Sequence, residues 1–139
     1  MRVLRAMMAD EDGKPKIDNT ARTLGVRIGG QRPDIVVAAS GFVLPETGGM
    51  SVSPPPPENL PEHRRPDEYG GIGRDPVWEL NIDYLPPELV YRPDPLDPYR
   101  HGFVEPAVPM RLDEYKKFLR MTQTLWRPFQ PEGDAFNNL

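Results

Sequence analysis

The sequence predicts a loop-rich α+β fold, because prolines are frequent, apolar residues are sparse and only one long segment has helical periodicity. The chain of 139 residues contains 19 prolines, and 37% of its residues are hydrophobic. Proline interrupts helices and cannot donate to a sheet ladder, so much of the chain should be extended or turning. The length suits one modest core, and we expect a single domain over residues 1–139.

Two short strands are predicted in the first third of the chain. Residues 2–8 carry two apolar pairs around Arg5, and the acidic, glycine-containing turn 10–13 follows them, which is typical of a strand end. The β-branched run 33–37 indicates a second strand. A strand at the amino end should be fixed within a sheet.

The segment between these strands, residues 14–30, is predicted to be a loop. Asn19 or Thr20 could cap a short helix that runs through Leu24. Glycines at positions 25, 29 and 30 would stop that helix. We therefore expect at most two helical turns here.

Residues 44–52 are predicted to form a glycine-paired turn and the floor of a ligand site. Two adjacent glycines, Gly48 and Gly49, leave the main chain bare, so that a phosphate or ribose can approach it. Thr47 and Ser51 add hydroxyl donors at the edges. The simpler alternative is that the glycine pair only makes a turn.

A proline run and a charged stretch follow this motif. Four consecutive prolines, residues 54–57, predict a polyproline II segment, and residues 58–74 have no clear periodicity. We interpret the 54–74 surface loop as a rigid edge that shapes one wall of a cleft. A linker or a partner-binding proline motif is the alternative.

The second half of the chain should contain three strands and one helix. Residues 76–82 alternate with period two, which directs Trp78, Leu80 and Ile82 towards the core. Shorter strands are predicted at 90–92 and 101–105. Residues 112–126 repeat apolar positions at helical spacing, and the aromatic members of that stripe are expected in the core. Residues 131–139 are expected to be a frayed tail.

Charge and composition exclude several classes of function. The net charge is −4 with both signs interspersed, which argues against direct nucleic-acid binding. The absence of cysteine excludes disulfides, thiolate zinc sites and a cysteine nucleophile, and we expect no metal site. No stretch has membrane-spanning length, and the amino end lacks a secretory signal. We expect synthesis in a bacterial cytoplasm. Export by a route that needs no cleaved signal is left open.

Five polar residues lie on or beside predicted strand ends, where a cleft could form: Arg5, Thr47, Ser51, His101 and Glu105. Each also has an ordinary explanation. A strand arginine is often half of a surface ion pair, a serine after a turn is usually a local donor, and a lone histidine is usually solvated.

Taken together, five segments resemble a known family, the Tse-two type of bacterial toxin delivered by type VI secretion systems, whose fold belongs with the ADP-ribosyltransferases. They occur in the family's order and with similar spacing: residues 3–6, 32–36, 45–52, 85–89, and His101 with 106–110. Three departures stand out. Met50 replaces an expected hydroxyl residue, residues 54–74 have no close counterpart, and Glu105 lies where no acid is expected.

The resemblance implies a split, highly twisted β-sheet sandwich that holds NAD in its cleft. Arg5 would hold the pyrophosphate, which suits a planar guanidinium. Thr47 and Ser51 would contact the nicotinamide ribose or orient Arg5, Gly48 and Gly49 would let the dinucleotide lie against backbone, and His101 would contact a ribose hydroxyl. Loss of nicotinamide develops positive charge on the ribose, and Glu79 and Glu105 are the candidate carboxylates.

The leading hypothesis is therefore an NAD-dependent toxin for interbacterial competition. It would be an ADP-ribosyltransferase acting on an unidentified target, or an NAD glycohydrolase, active in the cytoplasm of the target cell. The resemblance also implies an immunity protein that binds the toxin. One alternative is a non-catalytic interaction module that uses the proline and charged loop. Another is an NAD-dependent RNA 2′-phosphotransferase, which the acidic balance disfavours.

Overall fold

The computed structural model describes residues 1–131, and these form nine short strands and one α-helix. The predicted tail therefore lies, from residue 132 onward, outside the described residues. The elements are β1 Arg2–Ala6, β2 Ile35–Val37, β3 Phe42–Gly48, β4 Met50–Val52, β5 Val77–Asn81, β6 Leu89–Pro93, β7 Gly102–Pro106, β8 Met110–Arg111, α1 Leu112–Met121 and β9 Arg127–Pro128.

The strands form three small antiparallel sheets, with strand orders β1-β5-β9, β2-β3-β8 and β4-β7-β6. The predicted mixed α+β class is confirmed. Leu4 and Ser53 exchange two backbone hydrogen bonds of 2.7 and 2.9 Å, which join β1 to the end of β4. This bridge brings Arg5 beside Ser51, although 46 positions separate them in the chain.

The core lies between the sheets and α1, and the predicted stripe of the helix faces it. Tyr115 and Leu119 are fully buried, and Trp126 is buried beyond the end of the helix. The Tyr115 hydroxyl accepts a hydrogen bond from the Met50 amide and donates one to the Val104 carbonyl. The helix ends at Met121, earlier than predicted, and a 3-10 turn at Gln123–Leu125 continues the stripe.

The predicted turn at residues 44–52 is wrong, because β3 and β4 include all of these residues except Gly49. Glu46 interrupts the extended backbone of β3 with a φ of +66°. Gly48 has a φ of +112°, and a Cβ at this position would overlap the carbonyl oxygen of Asp34. A Cβ on Gly49 would lie 2.8 Å from the carbonyl oxygen of Val104. The two glycines thus allow β3 and β4 to pass close to the neighbouring backbone.

The proline run also differs from the prediction. A cis peptide bond joins Pro55 and Pro56, and a 3-10 turn covers Pro57–Asn59. The amide of Leu60 donates to the carbonyl of Pro57 over 3.0 Å, so a continuous polyproline II segment is not formed. The rest of the 54–74 loop is folded on itself by backbone hydrogen bonds, including one of 2.7 Å from Gly73 to Arg65.

The optional helix after Asn19 is not formed. The carbonyls of Thr20, Thr23 and Gly25 instead accept hydrogen bonds from the side chain of Arg5. A helix through Leu24 would have used the Thr20 carbonyl internally, so the buried guanidinium and such a helix compete for this one acceptor. The predicted loop is confirmed.

Strand β5 is buried on both of its faces, whereas the sequence pattern predicts one buried face. Trp78 and Leu80 join the main core as predicted, with Ile82 partly buried against it. On the opposite face, Val77 packs with Leu4 and Leu60 in a smaller cluster. Over residues 1–131, no helix combines the length and apolar character needed to cross a membrane.

Candidate functional site

A cavity of about 300 Å³ opens where β1, β4 and the 54–74 loop meet. Four guanidinium side chains line it, those of Arg5, Arg27, Arg32 and Arg64, and we refer to it as the arginine cavity. Asp34 contributes its lining carboxylate, so the formal charge of these five groups is three positive charges with histidines neutral. The whole chain carries −4, so the cavity opposes the overall charge.

Arg5 extends from β1 and is 6% exposed. Its Nη1 donates to the Ser51 carbonyl over 2.7 Å, and its Nε and Nη2 donate to the Thr23 carbonyl over 3.1 and 2.8 Å. Burial lowers the pKa of the guanidinium to about 10, and the Asp34 carboxylate acts in the opposite direction. Arg5 therefore remains cationic at neutral pH, with carbonyls as its hydrogen-bond partners and no carboxylate bonded to it among residues 1–131.

Ser51 lines the same cavity because successive side chains of β4 point to opposite faces of the strand. Met50 and Val52 point into the core, which directs Ser51 to the opposite face. Its carbonyl holds Arg5, while its hydroxyl has no protein partner in the part of the chain that the structure describes. The hydroxyl is therefore free to bond a ligand in the cavity.

His101 lines the arginine cavity immediately before β7. Its Nδ1 lies 2.8 Å from Oδ2 of Asp94, and its ring packs edge-on against Phe103. The bond from His101 lowers the pKa of Asp94, with the Leu96 amide contributing. An ionised carboxylate only accepts, so Nδ1 carries the proton and a neutral ring leaves Nε2 as an acceptor.

A second cavity of about 390 Å³ adjoins the first, and the two share Ser53, Leu60, Pro61 and His101. The 54–74 loop supplies Leu60 and Pro61 to this shared wall, so the loop does shape one side of a cleft. Three carboxylates, those of Glu58, Asp94 and Asp97, and two guanidiniums, those of Arg65 and Arg100, line the second cavity, so their formal charges sum to −1. His101 thus lies between a cationic cavity and one with a small negative charge.

Three of the predicted binding residues do not line either cavity. Thr47 donates its hydroxyl to the Leu44 carbonyl over 2.8 Å, within its own strand. Gly48 lies against the backbone of β2 and Gly49 against that of β7. We expected the dinucleotide to lie beside the glycine pair, but neighbouring protein backbone occupies that space.

The two carboxylates named from the sequence lie outside the cavities. Glu79 is 2% exposed and binds Arg2 through Oε2 and Arg127 through Oε1, the latter over 2.8 Å. Glu105 is also 2% exposed, and its Oε2 accepts bonds of 3.0 Å from Arg92 and from the Glu46 amide. Both carboxylates hold strands together, and neither lines the arginine cavity or the second cavity.

Replacing Glu105 by glutamine should lower the free energy of unfolding by about 1–3 kcal/mol, because Arg92 loses its charged acceptor in a buried position. Urea unfolding of the purified variant measures this loss. Glu11→Gln, at an exposed turn position, is the matched control and should be neutral. A Glu105 variant as stable as wild type that no longer consumes NAD would instead support a catalytic role.

The arginine cavity also contains polar residues that have no strong signal in the sequence. Arg27 donates two hydrogen bonds to the Asp34 carboxylate, one of 2.6 Å from its backbone amide and one of 3.2 Å from its guanidinium. Arg64 and His63 come from the 54–74 loop. Arg32 and Asp34 flank a proline in one of the segments of the family resemblance, which was the only signal for them. No local pattern marks Arg64 or His63.

No family model matches the chain, and no curated protein matches it. Among the described residues, no group of three or more histidines and carboxylates is arranged to hold a metal ion.

Proposed function

We propose that this protein is an NAD-consuming bacterial toxin, either an ADP-ribosyltransferase or an NAD glycohydrolase. One observation carries the proposal: Arg5, Ser51 and His101, from three separate parts of the chain, line one cavity. Its guanidinium is buried and cationic, its serine hydroxyl is unused, and its histidine is oriented by a carboxylate. These groups suit a ligand that combines phosphates with ribose hydroxyls.

The proposed roles follow from the contacts of each group. Nη1 of Arg5 carries two N–H bonds, of which one is given to Ser51, so the other can donate to a phosphate oxygen. The Ser51 hydroxyl and Nε2 of His101 would bond ribose hydroxyls. Asp94 would position the ring of His101 and keep its proton on Nδ1.

The reaction breaks the bond between the ribose and the nicotinamide nitrogen, and the electron pair leaves with nicotinamide. Water or a hydroxyl of the target then attacks the ribose carbon and releases its proton to solvent. The developing positive charge would be met by the carboxylates of the second cavity, Asp94, Asp97 and Glu58, in place of Glu79 and Glu105. The pyrophosphate would lie in the arginine cavity and the nicotinamide end in the second.

The other parts of the toxin hypothesis belong to the same proposal. The three small sheets would correspond to the split, twisted sandwich of the ADP-ribosyltransferases, and the family resemblance supports this reading. The protein would act in the cytoplasm of a competitor cell after type VI secretion, on a target molecule still to be identified. An immunity protein would protect the producing cell by covering the cleft.

Incubation of the purified protein with NAD should release nicotinamide, and Ser51→Ala should reduce that release about tenfold or more. Because the Ser51 hydroxyl has no protein hydrogen bond among residues 1–131, the variant should unfold at the wild-type temperature. Chromatography of nicotinamide and a thermal melt measure the two effects. Ser40→Ala, in the exposed turn before β3, is the matched control.

Expression in a bacterial cytoplasm tests the toxin assignment directly. Growth should stop and cellular NAD should fall with the wild-type chain, and both effects should weaken with Ser51→Ala. Wild-type protein that neither releases nicotinamide, with or without cell extract as a source of targets, nor arrests growth would refute the proposal.

A further inference from the structure

The arginine cavity holds more positive charge than its own carboxylates neutralise. Asp34 is bonded to Arg27, and Asp75 just outside the cavity binds Arg22 through two bonds of 2.8 Å. Within residues 1–131, the side chains of Arg5, Arg32 and Arg64 have no carboxylate partner. Three guanidiniums are therefore available to an anion in one space of about 300 Å³.

Arg64 is held at this cavity by the fold of its loop. Its amide donates to the Pro61 carbonyl over 2.9 Å, and the chain at Gly73 passes so close to Arg64 that a Cβ on Gly73 would contact it. Burial lowers the pKa of the Arg64 guanidinium, the charges of Asp75 and Asp34 act in the opposite direction, and those of Arg27 and Arg22 contribute to the decrease. Arg64 in turn helps to lower the pKa of Arg5.

Like charges that the fold holds together favour a bound anion, because the anion removes their repulsion. The pyrophosphate of NAD carries one negative charge on each phosphate, and the nicotinamide ring carries one positive charge. A phosphomonoester on the adenosine ribose would add about −1.5 to −2. The excess charge of the cavity therefore matches the phosphorylated dinucleotide better than NAD itself.

We propose that the arginine cavity selects a dinucleotide that carries a ribose phosphomonoester, NADP, over NAD, with Arg64 and Arg32 as the specificity-determining residues. The inference rests on the proposed NAD-consuming function. Arg5, deep in the cavity, holds the pyrophosphate. Arg64 and the exposed Arg32, nearer the rim, hold the additional phosphate.

Nicotinamide release from NADP and from NAD, measured with the full chain at equal concentrations, tests the selection. The wild-type kcat/KM should be about tenfold or more higher for NADP. Arg64→Gln should bring the ratio of the two kcat/KM values close to one, and Arg32→Gln should lower it. Arg74→Gln, an exposed arginine of the same loop outside the arginine cavity, should keep the wild-type ratio.

The outcomes separate this inference from the proposed function. Release from NAD at least as fast as from NADP overturns the NADP selection and leaves the proposed function standing. If neither dinucleotide is cleaved, isothermal titration decides: a Kd about tenfold lower for NADP supports the site, whereas equal or absent binding overturns it. If Arg64→Gln does not fold, as judged by circular dichroism, the ratio for the exposed Arg32→Gln variant decides the role of the rim.

Discussion

Gly48→Ala is expected to lower the free energy of unfolding by about 3–5 kcal/mol, a large share of the stability of a small domain. Two costs combine at this position. The residue has a φ of +112°, which is unfavourable for alanine, and the new methyl group would overlap the carbonyl oxygen of Asp34 on the neighbouring strand. That carbonyl also accepts the Gly49 amide over 2.7 Å, so it cannot move away freely.

Gly41→Ala separates the two costs. Gly41 also has a positive φ, +85°, but nothing lies within 4 Å of its would-be Cβ. Gly41→Ala should therefore lower the free energy of unfolding only by the cost of backbone strain, about 1–2 kcal/mol. Urea unfolding of both variants provides the comparison. If both variants lost the same free energy of unfolding, the contact between β2 and β3 would be looser than the structure has it. A ligand could then approach the backbone of the glycine pair.

Five of the nine strands and the helix could be predicted because their signals are local. Alternation in β5, β-branched residues in β2 and helical spacing in α1 each lie within one segment. The glycine pair could not be interpreted in this way. A bare backbone serves a turn, a ligand or a neighbouring strand equally well, and the atoms that decide between them belong to Asp34 and Val104, distant in sequence.

The difference between local signals and contacts distant in sequence also explains which residues of the candidate site could be predicted. Arg5, Ser51 and His101 were named from strand ends and from the family resemblance, and the structure places all three on one cavity. Arg64 was missed because its position depends on how the 54–74 loop folds back onto β1 and β5, where Leu60 packs against Leu4 and Val77. Glu79 and Glu105 were named because acids are needed near the ribose. Their arginine partners, however, come from distant segments that no local pattern connects to them.

Arg5→Lys is expected to reduce nicotinamide release by about 100-fold or more, although the positive charge is kept. The guanidinium has five N–H donors in a fixed plane, which it divides between the carbonyls of Thr20, Thr23, Gly25 and Ser51 and the space of the cavity. An ammonium group has three donors and cannot satisfy these carbonyls and a phosphate together. The unmatched carbonyls should also cost about 1–3 kcal/mol of stability.

The loss of activity must be measured where the variant is folded, so nicotinamide release is followed below its melting temperature. Arg22→Lys is the matched control, because Arg22 binds the buried Asp75 and lies outside the arginine cavity. That variant should keep wild-type release, since it retains the positive charge and Arg22 lines neither of the two cavities. Folded Arg5→Lys protein with wild-type release would show that the planar fork of Arg5 supports the loop at residues 20–25 and takes no part in binding the dinucleotide.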